Sequence, residues 1–183
     1  MRLTLQPHPD TPADAIAGLE VQAEREGALL LLRYRAGGDI GRLMLPGPTL
    51  GPPQRTDELW RHTCFEAFIQ AAGGGYYEFN FAPSGEWAAY RFSAYREGMA
   101  NLPVEAPQIE ARAQDGVFDL IVSLDLAGLP KLAAAPAWSM ALTAVIEEMD
   151  GRKSYWALAH APGKPDFHHS DGFALQLPAA SGS

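Results

Sequence analysis

The sequence predicts an all-β fold, on three observations. Its apolar runs are short and alternate with polar residues, the period-two pattern of half-buried strands. Gly, Pro and Asp-Gly pairs, among them Asp115-Gly116 and Asp150-Gly151, separate those runs as tight turns separate strands. Hairpin registers centred on such turns sort apolar and polar side chains onto opposite faces.

Taken in order, residues 47–54 (Gly-Pro-Thr-Leu-Gly-Pro-Pro-Gln) make a long connecting loop, because prolines remove the backbone donors a helix or central strand needs. A three-stranded meander follows between His62 and Tyr95. A five-residue loop at 71–75 pairs Phe65 with Phe81, Ala67 with Phe79 and Ile69 with Tyr77. A turn at Pro83-Ser84-Gly85-Glu86 then pairs Phe79 with Tyr90 and Phe81 with Ala88, so one face of the meander is apolar. The other face carries His62, Cys64, Glu66, Phe68, Glu78, Asn80, Trp87, Arg91 and Tyr95, with Glu66 opposite Asn80 and Glu78 opposite Arg91. A competing assignment makes residues 57–72 a helix capped at Thr56 or Asp57, since Trp60, Cys64, Ala67, Phe68 and Ala71 fall near helical spacing. The registers favour the strand.

Asp115-Gly116 tolerates the positive φ angles of a two-residue turn. It sets Ala113 opposite Phe118, Ala111 opposite Leu120 and Ile109 opposite Val122, with Glu110, Arg112 and Asp119 facing away. Asp150-Gly151 joins residues 139–149 to 152–160 and places Glu148 opposite Lys153; this pair is apolar on both faces and reads as central. Short helical turns are expected only in loops. Residues 1–178 form a single domain, and 179–183 a flexible tail of small residues.

Composition narrows the functions. With 47% hydrophobic and 20% charged residues the chain is neither disordered, collagen-like nor coiled coil. A net charge of −8, with 14 Lys and Arg spread along the chain, argues against nucleic acid as a partner. Cys64 stands alone, so no internal disulfide forms, and it is expected to pack as a small buried hydrophobe. Residues 1–9 lack the apolar stretch of a secretory signal. No segment reaches the ~20 apolar residues of a membrane span. We therefore expect a soluble, cytoplasmic protein with no membrane partner. Glycine-rich phosphate loops, Gly-x-Ser-x-Gly elbows and Cys-His dyads are missing from the sequence, so no enzyme class suggests itself.

The mixed face of the meander suits a small molecule, above all a sugar. Saccharides stack flat C–H patches on Trp or Tyr, while carboxylate, amide and guanidinium groups satisfy their hydroxyls. Trp87, Tyr90 or Tyr95, Glu66, Asn80 and Arg91 are the right types. The alternative is that Glu78 and Arg91 form a cross-strand ion pair and Trp87 caps the sandwich edge. Glu66 and Glu78 also suggest a glycosidase pair, but Arg91 opposite Glu78 would keep it ionised rather than let it act as an acid. Near the C-terminus, His160, Asp166, His168 and His169 gather in a Pro-braced loop. They suit a divalent metal, or a rigid loop in which Asp166 caps backbone amides.

The run from Leu59 to Gln70 (Leu-Trp-Arg-His-Thr-Cys-Phe-Glu-Ala-Phe-Ile-Gln), continuing through Tyr77-Glu-Phe-Asn80 and Gly85-Glu-Trp87 to Met99, resembles bacterial proteins described as DOMON-like, related to carbohydrate-binding module family 9. Tyr155-Trp156, the stretch from Gly163 to His169 and the segment from Phe173 to Leu177 resemble that family's closing strands. The resemblance covers about the last two-thirds of the chain. It implies a β-sandwich of two antiparallel sheets, immunoglobulin-like or jelly-roll in type, that binds a ligand without catalysis. In those modules aromatic side chains clasp a sugar, often with calcium nearby, and other DOMON domains hold haem.

By motif position, Glu66, Asn80, Trp87, Lys164, Asp166 and His168 match family elements, while the clasping pair is left open among Trp60, Trp87, Trp138 and Trp156. Haem would need axial ligands such as Met140 and His160. The candidate ligand contacts are therefore Glu66, Asn80, Trp87, Arg91, Tyr95, Trp156, Lys164, Asp166 and His168. A haem or redox domain, and a partner-binding domain without a small ligand, remain as alternatives.

Overall fold

The computed structural model describes residues 1–70 and 74–179. In chain order the strands are β1 (Arg2–Pro7), β2 (Ile16–Glu26), β3 (Leu29–Gly38), β4 (Cys64–Gln70), β5 (Tyr76–Phe81), β6 (Trp87–Phe92), β7 (Ala100–Asn101), β8 (Gln108–Gln114), β9 (Val117–Asp125), β10 (Ala137–Glu147), β11 (Lys153–Ala157) and β12 (Leu175–Pro178). One four-residue helix, α1 (Pro130–Ala133), and three short 3-10 turns lie in the connections. The expectation of a mainly β chain with helical turns confined to loops holds.

The strands pair antiparallel in the order β7-β6-β5-β4-β10-β11-β1-β2-β3-β9-β8, with β12 also beside β10. β1 joins two halves: its residues Arg2 to Leu5 pair with β2, and Gln6 and Pro7 with β11. The strip curls so that the halves face each other across an apolar core. Alternate residues of β3 and β9 (Leu30, Leu32, Tyr34; Phe118, Leu120, Val122) and of β10 (Trp138, Met140, Leu142) are fully buried in it. The contact between the halves centres on Phe65 of β4, whose ring lies 5.1 Å from Tyr34 and 5.7 Å from Phe118. The Tyr34 hydroxyl donates to the Glu66 carbonyl at 2.7 Å, so its polar atom is satisfied inside the core.

The predicted β8–β9 register is observed, with Ala113, Ala111 and Ile109 opposite Phe118, Leu120 and Val122. The β4–β5 register is also as predicted, with Glu66 opposite Asn80; of the expected loop at 71–75, residues 71–73 lie outside the described residues. Residues 64–70 are strand, preceded by a 3-10 turn at Leu59–Arg61, so the helical alternative fails. Residues 47–54 are a loop free of regular structure. Cys64 is buried, and burial together with the neighbouring Glu66 pushes its thiol well up, leaving it inert. Of the expected tail, 180–183 lie outside the described residues.

Two registers differ by one residue from expectation, and each slip moves side chains to the other face. The β5–β6 connection spans five residues, not four, because the Ala82 N–H donates to the Glu86 carbonyl at 2.9 Å and Gly85 takes φ +88°. Phe81 therefore faces Trp87, Tyr77 faces Arg91 and Glu78 faces Tyr90. Trp87 and Arg91 leave the polar face, and Tyr90 and Phe92 replace them. The Asp150-Gly151 turn likewise runs from Glu148 to Arg152, closed by the Glu148 N–H on the Arg152 carbonyl at 2.8 Å, so Lys153 faces Glu147 rather than Glu148.

Phe65→Ala removes the ring that joins the two halves and should cost about 3–5 kcal/mol of unfolding free energy. Urea denaturation checks this as a lower midpoint at unchanged slope.

Candidate functional site

The outer face of β4, β5, β6, β10 and β11 is not a solvated surface. Phe68, Tyr76, Ala88, Tyr90, Phe92 and Ala141 form a second apolar cluster there, with Trp60, Phe167 and Phe173 packed against it. The segments 57–63, 93–99 and 158–174 supply the cover. β4, β5 and β10 are thus buried on both faces, and the polar groups they carry are sealed beneath the cover: Glu66 is 2%, Glu78 4% and Asn80 0% exposed.

A pocket of about 350 Å³ opens above these groups. Glu66 and Glu78 lie in its floor, while Trp60, Phe92, Tyr155 and Phe167 give aromatic walls, and Arg96, Met99, Val145, Pro165 and His168 complete it. Asn80 donates from Nδ2 to Glu78 Oε1 at 2.8 Å, and the Thr143 hydroxyl donates to Glu66 Oε2 at 3.2 Å. Burial, reinforced by Glu78, pushes the Glu66 carboxyl far above its usual range. Burial pushes Glu78 up to about 7, against the hydrogen bond from Asn80 and the charge of Arg96. Two buried carboxyls this close do not both ionise readily.

His168 forms the wall between this pocket and a second one of about 360 Å³, lined by Tyr76, Tyr95, His169 and Phe173 among others. Its Nδ1 is 2.8 Å from the Tyr76 hydroxyl and its Nε2 3.9 Å from Glu78 Oε2. Burial, and then Arg96, lower its pKa to about 4, so the ring is neutral at neutral pH. Asp166 fastens the two covering loops together: it accepts from the Tyr95 hydroxyl, from Arg96 Nη2 at 2.8 Å and from the His168 N–H at 3.0 Å. Burial alone would raise this carboxyl, but those three donors hold it below its usual range.

Of the residues expected to contact ligand, Glu66, Asn80 and His168 come together at the pocket. Tyr95 and Asp166 stand beside it, as wall of the second pocket and loop clamp. The others do not reach it. Trp87 faces the sandwich core and is 7% exposed, with Arg55 over its ring. Arg91 is exposed on that same side of β6, opposite Tyr77, and makes no pair with Glu78. Trp156 also lies in the core, its indole N–H donating to Ser154 at 2.9 Å. Lys164 is exposed and lines neither pocket.

Trp138 is buried in the core as well, which leaves Trp60 as the tryptophan of the pocket. Phe92, Arg96, Thr143, Tyr155 and Phe167 were not singled out by sequence reasoning. Alternation from Trp156 inward marks Tyr155 as its opposite-face neighbour, whereas Arg96, on a loop, gave no signal.

Among the described residues no three His, Cys, Asp or Glu side chains gather into a metal-ligand set. Met140 is buried in the core, while His160 packs edge-on to His8 with Nε2 at 2.8 Å from the Gln6 carbonyl. They do not form an axial pair for haem.

No family model and no curated protein matches the chain. Solved structures do. One is a Bacteroides uniformis protein described as a candidate carbohydrate-binding protein, with TM-score 0.63, 14% identity, and coverage of 98% of this chain and 86% of that one. Another is a carbohydrate-binding module of family 9 from Caldicellulosiruptor kristjanssonii in complex with glucose, with TM-score 0.55, 7% identity, and 98% and 86% coverage. The module from that organism in complex with cellotriose gives TM-score 0.55, 6% identity, and 99% and 84% coverage. At these identities the likeness shows the fold: the chain has the β architecture of family 9 modules over nearly its whole length.

The two perturbed groups act on stability with opposite signs. Glu78 holds its proton more tightly folded than unfolded, so its contribution is complete below 4.5 and is lost as pH rises through about 7. His168 resists protonation in the fold, so its cost appears as pH falls from 6.5 towards 4. Glu78→Gln should therefore gain stability relative to the parent as pH rises from 4.5 to about 7, read as diverging urea midpoints over that range.

Proposed function

We propose that this chain is a non-catalytic carbohydrate-binding domain that takes a sugar ring in the outer-face pocket. The observation that carries this is one cavity in which aromatic walls, Trp60, Phe92, Tyr155 and Phe167, converge with the polar groups Glu78, Arg96 and His168. Rings stack on the C–H faces of a sugar, and a carboxylate and a guanidinium orient its hydroxyls. A volume of about 350 Å³ lies within the range of small-ligand sites. The shared fold of modules solved with glucose and cellotriose and the DOMON-like resemblance of the sequence both support the reading.

The placement of the acids supports binding without catalysis. A glycosidase places its two carboxyls on either side of the scissile bond. Glu66 and Glu78 lie on one floor, Glu66 opposite Asn80 in the ladder and Glu78 bonded to Asn80, and Glu66 Oε1 has no access to solvent. The pair cannot flank a bond. Arg91, expected to keep Glu78 ionised, plays no part in this.

Isothermal titration against a panel of mono- and oligosaccharides tests the proposal. Binding should saturate, and Trp60→Ala or Tyr155→Ala should weaken it about two- to tenfold, since loss of one stacked ring removes roughly 0.5–1.5 kcal/mol. Trp87→Ala, changed in the core, should leave the affinity of the folded protein as it is. No heat across the whole panel sinks the carbohydrate reading.

A further inference from the structure

Beneath the pocket, two buried oxygens have no hydrogen-bond partner: Glu66 Oε1 and Asn80 Oδ1. Their residues stand directly opposite each other in the β4–β5 ladder, on the same face, where Cβ atoms are about 4.5–5.5 Å apart. Burial without a partner is costly for each oxygen. Two acceptors brought together on one face repel unless one of them carries a hydrogen. The other ends of the two groups are already engaged. Glu66 Oε2 accepts from Thr143 at 3.2 Å, and Asn80 Nδ2 donates to Glu78 Oε1 at 2.8 Å. One hydrogen shared between Oε1 and Oδ1 would satisfy both oxygens; the Cys64 thiol is the other donor beside the Glu66 carboxyl.

We infer that Glu66 is an uncharged carboxylic acid whose Oε1–H donates to Asn80 Oδ1, closing a chain of hydrogen bonds from Thr143 through Glu66 and Asn80 to Glu78. Glu66 is then a positioning residue. It fixes the Asn80 amide, the amide holds Glu78, and the charge that faces the pocket sits on Glu78 alone. This does not depend on what the pocket binds.

The chain has a mirror image, in which the Asn80 amide is turned over, Glu66 is ionised and Glu78 carries the hydrogen. The surroundings choose between them. Glu66 is enclosed by Cys64, Thr143 and Asn80, its carbonyl is held by Tyr34, and the charge acting on it is that of Glu78. Glu78 meets the pocket, with Arg96 and His168 beside it and Tyr76, Tyr90, Asp57 and Asp166 around them. A negative charge is better solvated at Glu78. The upward push that burial gives Glu66 points the same way.

Infrared spectroscopy of the full chain, in chelator and well above neutral pH, reads the C=O stretch of a protonated carboxyl. One such band is expected, lost in Glu66→Gln and retained in Glu78→Gln. Gln at position 66 can donate its own amide hydrogen to Asn80, so this variant should keep the parent's unfolding midpoint. Thr143→Val, which removes the donor to Oε2, should move the band to higher wavenumber and serves as the readout if Glu66→Gln does not fold. A band absent at alkaline pH, one lost in Glu78→Gln instead, or one unmoved by Thr143→Val overturns the inference. So does loss of the band when calcium replaces chelator, since a cation would then join the two oxygens. Failure of sugar binding leaves each of these results unaffected.

Discussion

The register of β4 against β5 governs the pocket, because a strand alternates its side chains and the core claims one face. Once Phe65, Ala67 and Ile69 are set opposite Phe81, Phe79 and Tyr77, with Phe65 wedged between Tyr34 and Phe118, the intervening residues have only the outer face to occupy. Glu66, Glu78 and Asn80 are there as a consequence of apolar packing beneath them. A slip of one residue would bury these polar groups in the sandwich and expose its phenylalanines, so the core that stabilises the fold also aims the site.

That outer face is costly ground for a carboxyl. Covering it with the loops 57–63, 93–99 and 158–174 creates the aromatic walls, and the same cover withdraws Glu66 and Glu78 from water. The structure meets this cost with hydrogen bonds rather than with cations: Thr143 and Asn80 reach the carboxyls, while Arg96, the nearby guanidinium, is spent on Asp166. The Asp166 clamp on Tyr95, Arg96 and the His168 backbone then fixes the loops that roof the pocket. Stability of the cover and shape of the site are one set of interactions.

Much of this was legible in sequence. Asp115-Gly116 demands one turn geometry, and its hairpin was read residue by residue. The β4–β5 ladder is legible because Tyr77, Phe79 and Phe81 alternate with Glu78 and Asn80 on β5, and Phe65, Ala67 and Ile69 share one face of β4. Trp87 and Arg91 were misplaced because Ala82 joins its turn through a backbone bond to Glu86, which no side chain announces, and one residue of loop length inverts a strand. The β2–β3 hairpin passed unnoticed, since Gly27-Ala28 is a weak turn signal and Leu29 to Leu32 is an unbroken apolar run. Trp60, Arg96 and Phe167 reach the pocket from loops, whose paths are set by tertiary contacts and have no period to read.

A crystal structure of the chain soaked with cellotriose would test most directly whether the covered outer face holds a sugar. A ring lying against Trp60 and Tyr155, with hydroxyls directed at Glu78 and Arg96, is the result expected from the pocket's chemistry. Sugar bound instead beside Trp87, on the outer face of β2, β3 and β9, or nowhere while this pocket stands open, would contradict it.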